Sequence, residues 1–236
     1  ADGQLVNPQV RSEAQLIAGD WELRDGGGNL LQPTPTDEQK PLAPTSIYAI
    51  NKKDQEEMCL CVGTAYGIPT TALRFFNVYG SRQALSNPYT GVAAIFCARL
   101  LNNRSPLIFE DGRQRRDFVH VQDVARAIVA AAENPVAGEA INIGSGESVS
   151  VLQVAEALAR EMKKDIEPKI LGKFRSGDIR HCFADISKAK RLLAWKPALK
   201  FQCGVPELIE WVRFQHDAQD GIECAWGELQ QRGLLV

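Results

Sequence analysis

The sequence lacks the features that mark membrane-spanning, zinc-binding and generally nucleic-acid-binding chains. Its apolar residues make up 44% of the chain but fall in short runs such as 92–98, far below the roughly 20 residues that span a bilayer. The six cysteines form no C-x-x-C pair and have no histidine cluster beside them, so a zinc site is not expected. A net charge of −2 predicts no general affinity for nucleic acid or anionic membranes. We therefore expect no metal, no nucleic-acid partner and no membrane partner.

Composition and cysteine usage are those of an ordinary globular chain. Scattered cysteines without pairing signals are typical of a reduced, cytoplasmic protein. The length of 236 residues suits one or two domains. Because the bulk charge is nearly balanced, any attraction for a nucleotide must come from locally placed arginines.

A Tyr-x-x-x-Lys pair, Tyr48 and Lys52, stands at the start of an apolar helical pattern. Residues four apart lie on the same face of a helix, so the Lys52 ammonium can stabilise the Tyr48 phenolate. A phenolate held in this way can act as a general acid/base. Taken alone, the spacing also occurs on many solvated helix faces, which is the competing interpretation.

Four further motifs follow this pair in order, at 74–80, 111–125, 142–146 and 175–178. Together with the pair they resemble the extended short-chain dehydrogenase/reductase family, the NAD-dependent nucleotide-sugar epimerases and dehydratases, over residues 33–215. The stretches 19–24, 33–38 and 82–91 are most similar to the branch that epimerises dTDP-L-rhamnose at C4.

The resemblance implies an α/β fold, namely the C-terminal part of a Rossmann-like doubly wound parallel sheet plus a small α/β substrate-binding lobe. Residues 1–44 are interpreted as a loop or insertion region. Residues 45–80 and 119–147 would form the remainder of the NAD-binding Rossmann domain, and 81–118 and 148–236 the substrate lobe. The resemblance also implies NAD as cofactor, a nucleotide-diphosphate sugar as substrate and a homodimer paired through the Tyr48 helix.

Hydrophobic periodicity and turn residues predict the individual elements. A helix is expected from Thr45 to Tyr66, ended by Gly67 and Pro69. The other predicted helices cover 92–102, 122–133, 151–163 and 186–193, and 206–215 is a further segment of the substrate lobe. Strands are predicted at 70–76, 107–109 and 140–143.

The family's N-terminal Gly-x-x-Gly-x-x-Gly turn, which holds the cofactor pyrophosphate at a helix N-terminus, has no counterpart in this sequence. The cluster Gly26 to Gly28 has no buried strand before it and no helix after it, so it is interpreted as a loop. Ser12 lies in a polar, helix-like setting and is not assigned the role of the family's upstream Ser or Thr. We expect this chain to be the C-terminal part of a longer enzyme and inactive alone, or to be completed by a second polypeptide.

The catalytic and cofactor-binding roles follow from the resemblance. It implies that Tyr48 removes the proton of a sugar hydroxyl while hydride passes to NAD, and that Lys52 also binds the nicotinamide ribose. The backbone near Phe75 would lie beside the nicotinamide amide.

Substrate-binding roles are predicted at further positions. The Asn77 amide both donates and accepts hydrogen bonds, which suits a diphosphate oxygen and a sugar hydroxyl; a turn-forming role is the alternative. The remaining implied roles are the diphosphate for Arg116 and Arg175, the nucleotide ribose for Asp178, the base for Val92 and Phe109, and the choice of sugar for Asn87 and Tyr89. Core packing is the alternative for Val92 and Phe109. Arg113 and Arg115 are expected to be surface charges, and His120 to be structural.

The leading hypothesis is an NAD-dependent nucleotide-sugar 4-epimerase that acts through a 4-keto intermediate. A nucleotide-sugar 4,6-dehydratase is an alternative, which would need an additional acid/base pair that the family places upstream of Tyr48. A non-catalytic binding or scaffold fragment is the third hypothesis, since the dinucleotide fingerprint is missing.

Overall fold

The computed structural model describes residues 5–85, 91–175 and 177–215. The helices are α1 (Glu13–Ile17), α2 (Ile47–Tyr66), α3 (Val92–Leu101), α4 (Val121–Glu133), α5 (Val151–Glu161), α6 (Ser187–Leu193) and α7 (Phe201–Arg213). The strands are β1 (Thr71–Phe75), β2 (Asn77–Tyr79), β3 (Leu107–Ile108), β4 (Arg115–Arg116), β5 (Phe118–His120), β6 (Glu139–Ile143), β7 (Val149–Ser150), β8 (Lys169–Ile170) and β9 (His181–Cys182).

Helix α2, which carries the Tyr-Lys pair, has the ends that the sequence predicts. The Ser46 hydroxyl accepts a hydrogen bond from the Ala49 N–H at 3.1 Å, which caps the first turn. Gly67 ends the helix in the left-handed conformation, at φ +65°, where a residue with a side chain would be strained. The predicted helix is therefore confirmed to within two residues.

Side chains and backbone hold α2 against strand β1. Arg74 of β1 donates two hydrogen bonds, of 2.7 and 2.6 Å, to the Glu56 carboxylate of α2. These hydrogen bonds lower the pKa of Glu56 below its ordinary value. Gly63 lies so close to the loop before β1 that a Cβ there would be 2.2 Å from Thr70 Oγ1. The helix and the strand therefore form one packed unit.

Two parallel strand pairs, each a separate two-stranded sheet, lie beside α2 and α4. β1 pairs with β6 from Thr71↔Glu139 to Phe75↔Ile143, and β2 pairs with β5 beginning at Asn77↔Phe118. Helix α4 connects β5 to β6 and packs on the sheet. This arrangement confirms the predicted Rossmann-like α/β fold with parallel strands. Within the ranges that the structure describes, β1 has a strand partner on one side only.

Helices α3, α5 and α7 pack together beside the sheet. Their common core includes Phe96, Leu100, Leu158 and Leu208, all fully buried. Helix α7 begins at Phe201, five residues before Pro206, the first residue of the predicted segment 206–215. Proline is favoured in the first turn of a helix, but here it lies in the second turn, and the helix includes it.

Two apolar clusters lie on opposite faces of the β2–β5 pair. Tyr79 and Phe118 belong to the cluster with α3, α5 and α7, whereas Val78 and Val119 belong to the cluster with α4 and α6. This division follows from the alternation of side chains along a strand. Helix α6, which the predicted boundaries assign to the substrate lobe, packs with α4 and with strand β6. The predicted domain boundaries therefore stay a proposal.

The N-terminal segment, predicted as a loop or insertion, contains a short helix and a hairpin-like turn. The Ser12 hydroxyl caps α1 by accepting a hydrogen bond from Gln15 N–H at 3.2 Å, and Leu16 is buried. A β-bridge joins Arg24 to Leu30 across Gly26 to Gly28. Over the described ranges, the structure contains no helix that is both long and apolar enough to cross a membrane.

Candidate active site

Tyr48 and Lys52 lie in the first two turns of α2 and meet as their spacing predicts. The Lys52 ammonium nitrogen is 5.7 Å from the centre of the Tyr48 ring, within the range of a cation–π contact. It also donates a hydrogen bond to Gln55 Oε1 at 3.2 Å. The Tyr48 side chain is 72% exposed, so its hydroxyl is accessible to a ligand.

Phe75 and Asn77 lie where the polypeptide leaves β1, at the carboxyl edge at which open α/β sheets bind ligands. Phe75 is the last residue of β1 and is 46% exposed. Asn77 is half-buried, and its backbone N–H donates a hydrogen bond to the Asp117 carbonyl oxygen at 3.0 Å. This bond places Asn77 beside the Arg116–Asp117 segment.

Asp117 is a buried carboxylate that accepts hydrogen bonds from two other segments of the chain. It accepts hydrogen bonds from the Ser145 N–H at 2.6 Å, the Ser145 hydroxyl at 2.7 Å, the Gly146 N–H at 2.9 Å and the Ala184 N–H at 3.1 Å. Burial raises the pKa of Asp117, against the opposing effect of these bonds. Gly144 permits the contact, since a Cβ there would lie 2.6 Å from Asp117 Oδ2. These hydrogen bonds thus fix the position of Asp117 and of the preceding residue, Arg116.

Arg116 is half-buried against the segment that follows Asp178. Its guanidinium donates hydrogen bonds to the backbone carbonyl oxygens of Ile179 at 2.5 Å and Arg180 at 3.0 Å. Burial lowers the pKa of Arg116 from its ordinary value. The structure therefore places the Arg116 guanidinium against the backbone of residues 179–180. This backbone follows closely after Arg175, the other predicted diphosphate ligand.

Arg175, Gly177 and Asp178 form a polar turn, named here the nucleotide turn after the binding role predicted for it. The Arg175 guanidinium binds the Asp178 carboxylate at 3.0 Å, and its central carbon lies 5.1 Å from the centre of the Phe109 ring. Gly177 has φ +77°, a conformation that suits glycine. The Thr45 hydroxyl donates a hydrogen bond to the Gly177 carbonyl oxygen at 3.3 Å. The structure thus brings three predicted substrate residues together next to the start of α2.

Other predicted residues are not shown to join this group. Val92 is the first residue of α3 and packs, half-buried, on the apolar cluster of α3, α5 and α7. Asn87 and Tyr89 lie outside the described residues. Arg113 and Arg115 are exposed. His120 is fully buried, and its Nδ1 accepts a hydrogen bond from the Gln122 N–H at 3.3 Å, the structural role predicted for it.

Sequence reasoning missed a buried charge cluster behind the nucleotide turn, consisting of Arg11, Glu22, Glu110, Asp111 and Arg180. The Arg180 side chain is fully buried and binds Glu22 at 2.5 Å, Glu110 at 2.9 Å and Asp111 at 2.7 Å. Burial acts to raise the pKa values of Glu22 and Asp111, but the hydrogen bonds and charge of Arg180 outweigh it and lower both. The signals in the sequence were that Asp111 begins the motif at 111–125 and that Arg180 lies two residues after the motif at 175–178.

The chain has the residues predicted for the nicotinamide end of a dinucleotide but not a turn that fits its pyrophosphate. Tyr48, Lys52 and Phe75 are exposed, and Phe75 is the last residue of β1. By contrast, Gly26 to Gly28 form a turn in which the Asp25 carboxylate accepts hydrogen bonds from the N–H groups of Gly27 and Asn29, so those N–H groups are not free to bind a phosphate. Along the described ranges no glycine-rich turn joins a buried strand to a helix N-terminus.

The chain belongs to the NAD dependent epimerase/dehydratase family, whose model matches residues 27–144. The dTDP-L-rhamnose 4-epimerase of Burkholderia thailandensis is 39% identical to it over 222 residues, which are 93% of this chain and 60% of that protein.

Solved structures of related enzymes show the same fold. The UDP-glucose 4-epimerase of Thermotoga maritima, crystallised with UDP-glucose, has a TM-score of 0.71 at 37% identity, covering 78% of this chain and 58% of that one. The UDP-glucuronic acid 4-epimerase of Bacillus cereus, in complex with UDP-glucuronic acid and NAD, has a TM-score of 0.69 at 31% identity, covering 77% and 57%. The chain therefore spans 57% to 60% of the length of these relatives.

Proposed function

We propose that this chain forms the sugar- and nucleotide-binding part of an NAD-dependent nucleotide-sugar 4-epimerase, with dTDP-L-rhamnose as substrate. The observation that carries the proposal is the contact of Thr45 with Gly177, because it joins the nucleotide turn to the helix of Tyr48 and Lys52. The 39% identical relative, similar over 93% of this chain, supports the choice of sugar.

In this proposal Tyr48 is the acid/base of the reaction. Its phenolic oxygen takes the proton of the C4 hydroxyl and later returns one, while the Lys52 ammonium stabilises the phenolate. NAD, when bound, supplies the hydride acceptor and donor for C4. Inversion at C4 requires the 4-keto sugar to present its other face while the nucleotide stays in place. The residues that bind the nucleotide are therefore as important for the reaction as the acid/base.

Binding of the nucleotide is assigned to the nucleotide turn and its neighbours. Arg116 and Arg175 are proposed to bind the diphosphate, for which guanidinium geometry is well suited. The other proposed contacts are Asp178 with the ribose, Phe109 and Val92 with the base, Asn77 with the diphosphate and sugar, Asn87 and Tyr89 with the sugar, and the Phe75 backbone with the nicotinamide. The cation–π contact of Arg175 with Phe109 supports placing base and diphosphate side by side.

We propose that the cofactor pyrophosphate is held by sequence outside this chain, so that the chain alone is inactive. The 60% coverage of the Burkholderia relative supports this, as does the unpaired side of β1 among the described residues.

A homodimer through α2 is proposed as well. Its support is a set of exposed apolar side chains on that helix: Ile47, Ile50, Met58, Val62 and Tyr66. Light scattering would test the dimer, and a purely monomeric protein would contradict it. A cytoplasmic location is proposed because the described cysteines are all free.

A Tyr48→Phe variant tests the proposed function, in protein that includes any sequence preceding this chain in its reading frame. Loss of the phenolic proton carrier should reduce the kcat for 4-epimerisation of dTDP-L-rhamnose by roughly 100-fold or more. Tyr66→Phe, on the same helix and 77% exposed, is the matched control and should keep its activity. Normal activity of Tyr48→Phe would overturn the proposal.

The same assay separates the alternatives by product. A 4,6-dehydratase would convert dTDP-glucose to a 4-keto-6-deoxy sugar, which proton NMR distinguishes from a 4-epimer. A scaffold would convert neither substrate.

A further inference from the structure

We propose that Arg11, in the N-terminal segment, is a positioning residue that sets the affinity for nucleoside diphosphates by holding the nucleotide turn in place. The inference rests on the proposed function of that turn. Arg11 is 164 positions before Arg175 in the sequence, and no motif points to it.

Arg11 joins three separate segments through one buried guanidinium. It donates hydrogen bonds to the Trp21 carbonyl oxygen at 3.0 Å, to Glu110 Oε1 at 2.8 Å and to the Asp178 carbonyl oxygen at 2.8 Å. The exposed fraction of its side chain is 5% and that of Glu110 is 4%. A planar guanidinium with several fixed donors is suited to holding three acceptors at once.

The acceptor on Glu110 is itself fixed in place. Its other carboxylate oxygen binds the buried Arg180 at 2.9 Å, and its backbone N–H donates a hydrogen bond to the Lys173 carbonyl oxygen at 2.7 Å. Arg180 is held in turn by Asp111 and Glu22. Arg11 therefore pulls the Asp178 backbone against a rigid charge cluster rather than against a mobile surface group.

The nucleotide turn has little to hold it from within. Its own ion pair, Arg175 with Asp178, is exposed, with exposed side-chain fractions of 46% and 32%, and exposed pairs contribute little rigidity. The anchors of the turn and of the residues after it are the bonds from Arg11 to Asp178, from Thr45 to Gly177 and from Arg116 to Ile179 and Arg180. Of these donors, Arg11 binds the backbone of Asp178 within the turn, whereas Arg116 binds the backbone of the residues after it.

Arg11→Gln removes the charge and the fork of guanidinium donors without replacing any residue proposed to contact the ligand. We expect the Kd for dTDP and for UDP, measured by calorimetry on the chain, to rise roughly tenfold or more, which is the factor expected for one lost charge-assisted hydrogen bond. Arg24→Gln is the matched control, because Arg24 makes an exposed pair with Asp20 inside the same segment. It should change the Kd by less than about twofold.

A double-mutant cycle separates positioning from general destabilisation. If Arg11 acts through the nucleotide turn, adding Arg11→Gln to Arg175→Ala should weaken binding less than it does in the wild-type chain, because coupled residues are not additive. Additive losses, or an Arg11→Gln Kd equal to that of Arg24→Gln, would overturn the inference. Should Arg11→Gln fail to fold, Arg11→Lys retains the charge but not the fork of donors, and it should weaken binding while remaining folded.

Hydrogen exchange distinguishes failure of the inference from failure of the proposed function. Exchange of the backbone amides at 177–180, measured without ligand, should be roughly tenfold faster in Arg11→Gln than in Arg24→Gln. If the wild-type chain binds neither dTDP nor UDP, the proposed nucleotide site is wrong, and faster exchange would still show that Arg11 holds the turn. Equal exchange rates in the two variants would overturn the inference.

Discussion

The Thr45 hydroxyl donates a hydrogen bond to the Gly177 carbonyl oxygen at 3.3 Å, across 132 positions of sequence. Thr45 stands directly before the cap of the helix that carries Tyr48, and Gly177 lies between Arg175 and Asp178. One bond thus connects the proposed acid/base with the proposed grip on the nucleotide. The relative position of the two determines whether a sugar attached to a bound nucleotide reaches the phenol.

Gly177→Ala should disturb this junction. A Cβ at Gly177 would lie 3.1 Å from Thr45 Oγ1, and the residue has φ +77°, so both crowding and backbone strain oppose the substitution. We expect a loss of about 1 to 2 kcal/mol in the free energy of nucleoside diphosphate binding. Gly172→Ala is the control, since Gly172 has φ +64° but nothing within 4 Å of its Cβ position. Equal binding by the two variants would refute the crowding argument.

Asp117→Asn should destabilise the fold. An amide keeps one acceptor but turns an NH₂ group toward N–H donors, so part of the set formed by Ser145, Gly146 and Ala184 is left unsatisfied. We expect the free energy of unfolding, measured in urea, to fall by roughly 2 to 3 kcal/mol. Ser145→Ala removes only the hydroxyl bond and should cost about 1 kcal/mol. A smaller effect for Asp117→Asn than for Ser145→Ala would be inconsistent with the structure.

The pH dependence of stability should reflect Asp111. Burial acts to raise its pKa, but Arg180 lowers it overall from the ordinary 3.8, so the carboxylate stabilises the fold above its ordinary pKa. That contribution is lost as pH falls through the lowered value. The stability difference between the wild type and Asp111→Asn should therefore be constant near neutral pH and shrink below about pH 4. Asp165→Asn, at an exposed site, controls for the change in net charge; a gap that widened in acid would contradict the assignment.

Gly63→Ala should separate α2 from β1. The new methyl group would lie 2.2 Å from Thr70 Oγ1 and 2.7 Å from Thr70 Cβ, so we expect the free energy of unfolding to fall by about 1 to 3 kcal/mol. In a Thr70→Ala background the closest clash is absent, and the cost of Gly63→Ala should be smaller. Strictly additive effects of the two substitutions would show that the contact is not as described.

The elements that local signals define were predictable, and those that depend on distant partners were not. Ser46 and Gly67 lie at the ends of α2, where a cap and a left-handed glycine act locally, so its limits could be predicted. The start of α7 at Phe201 has no such local signal, since Lys200 before it makes no capping hydrogen bond.

The buried charge cluster shows why part of the site escaped prediction. Arg180 lies 158 positions from Glu22 and 70 from Glu110, and a charged residue is expected to be exposed unless its partners are known. The Tyr48–Lys52 contact, by contrast, follows from a four-residue spacing on one helix. The sequence could therefore predict this local contact but not the distant ion pairs that hold the neighbouring turn.

In the proposed reaction a hydride leaves sugar C4 and returns to it, with Tyr48 as the proton carrier. The most direct test is to convert dTDP-L-rhamnose deuterated at C4, in ordinary water with NAD present, using protein that includes any sequence preceding this chain, and to locate the label by NMR. We expect the 4-epimer to keep deuterium at C4 and Tyr48→Phe to form it far more slowly. A 4-epimer that had exchanged its C4 deuterium for solvent hydrogen would contradict removal and return of the same hydride.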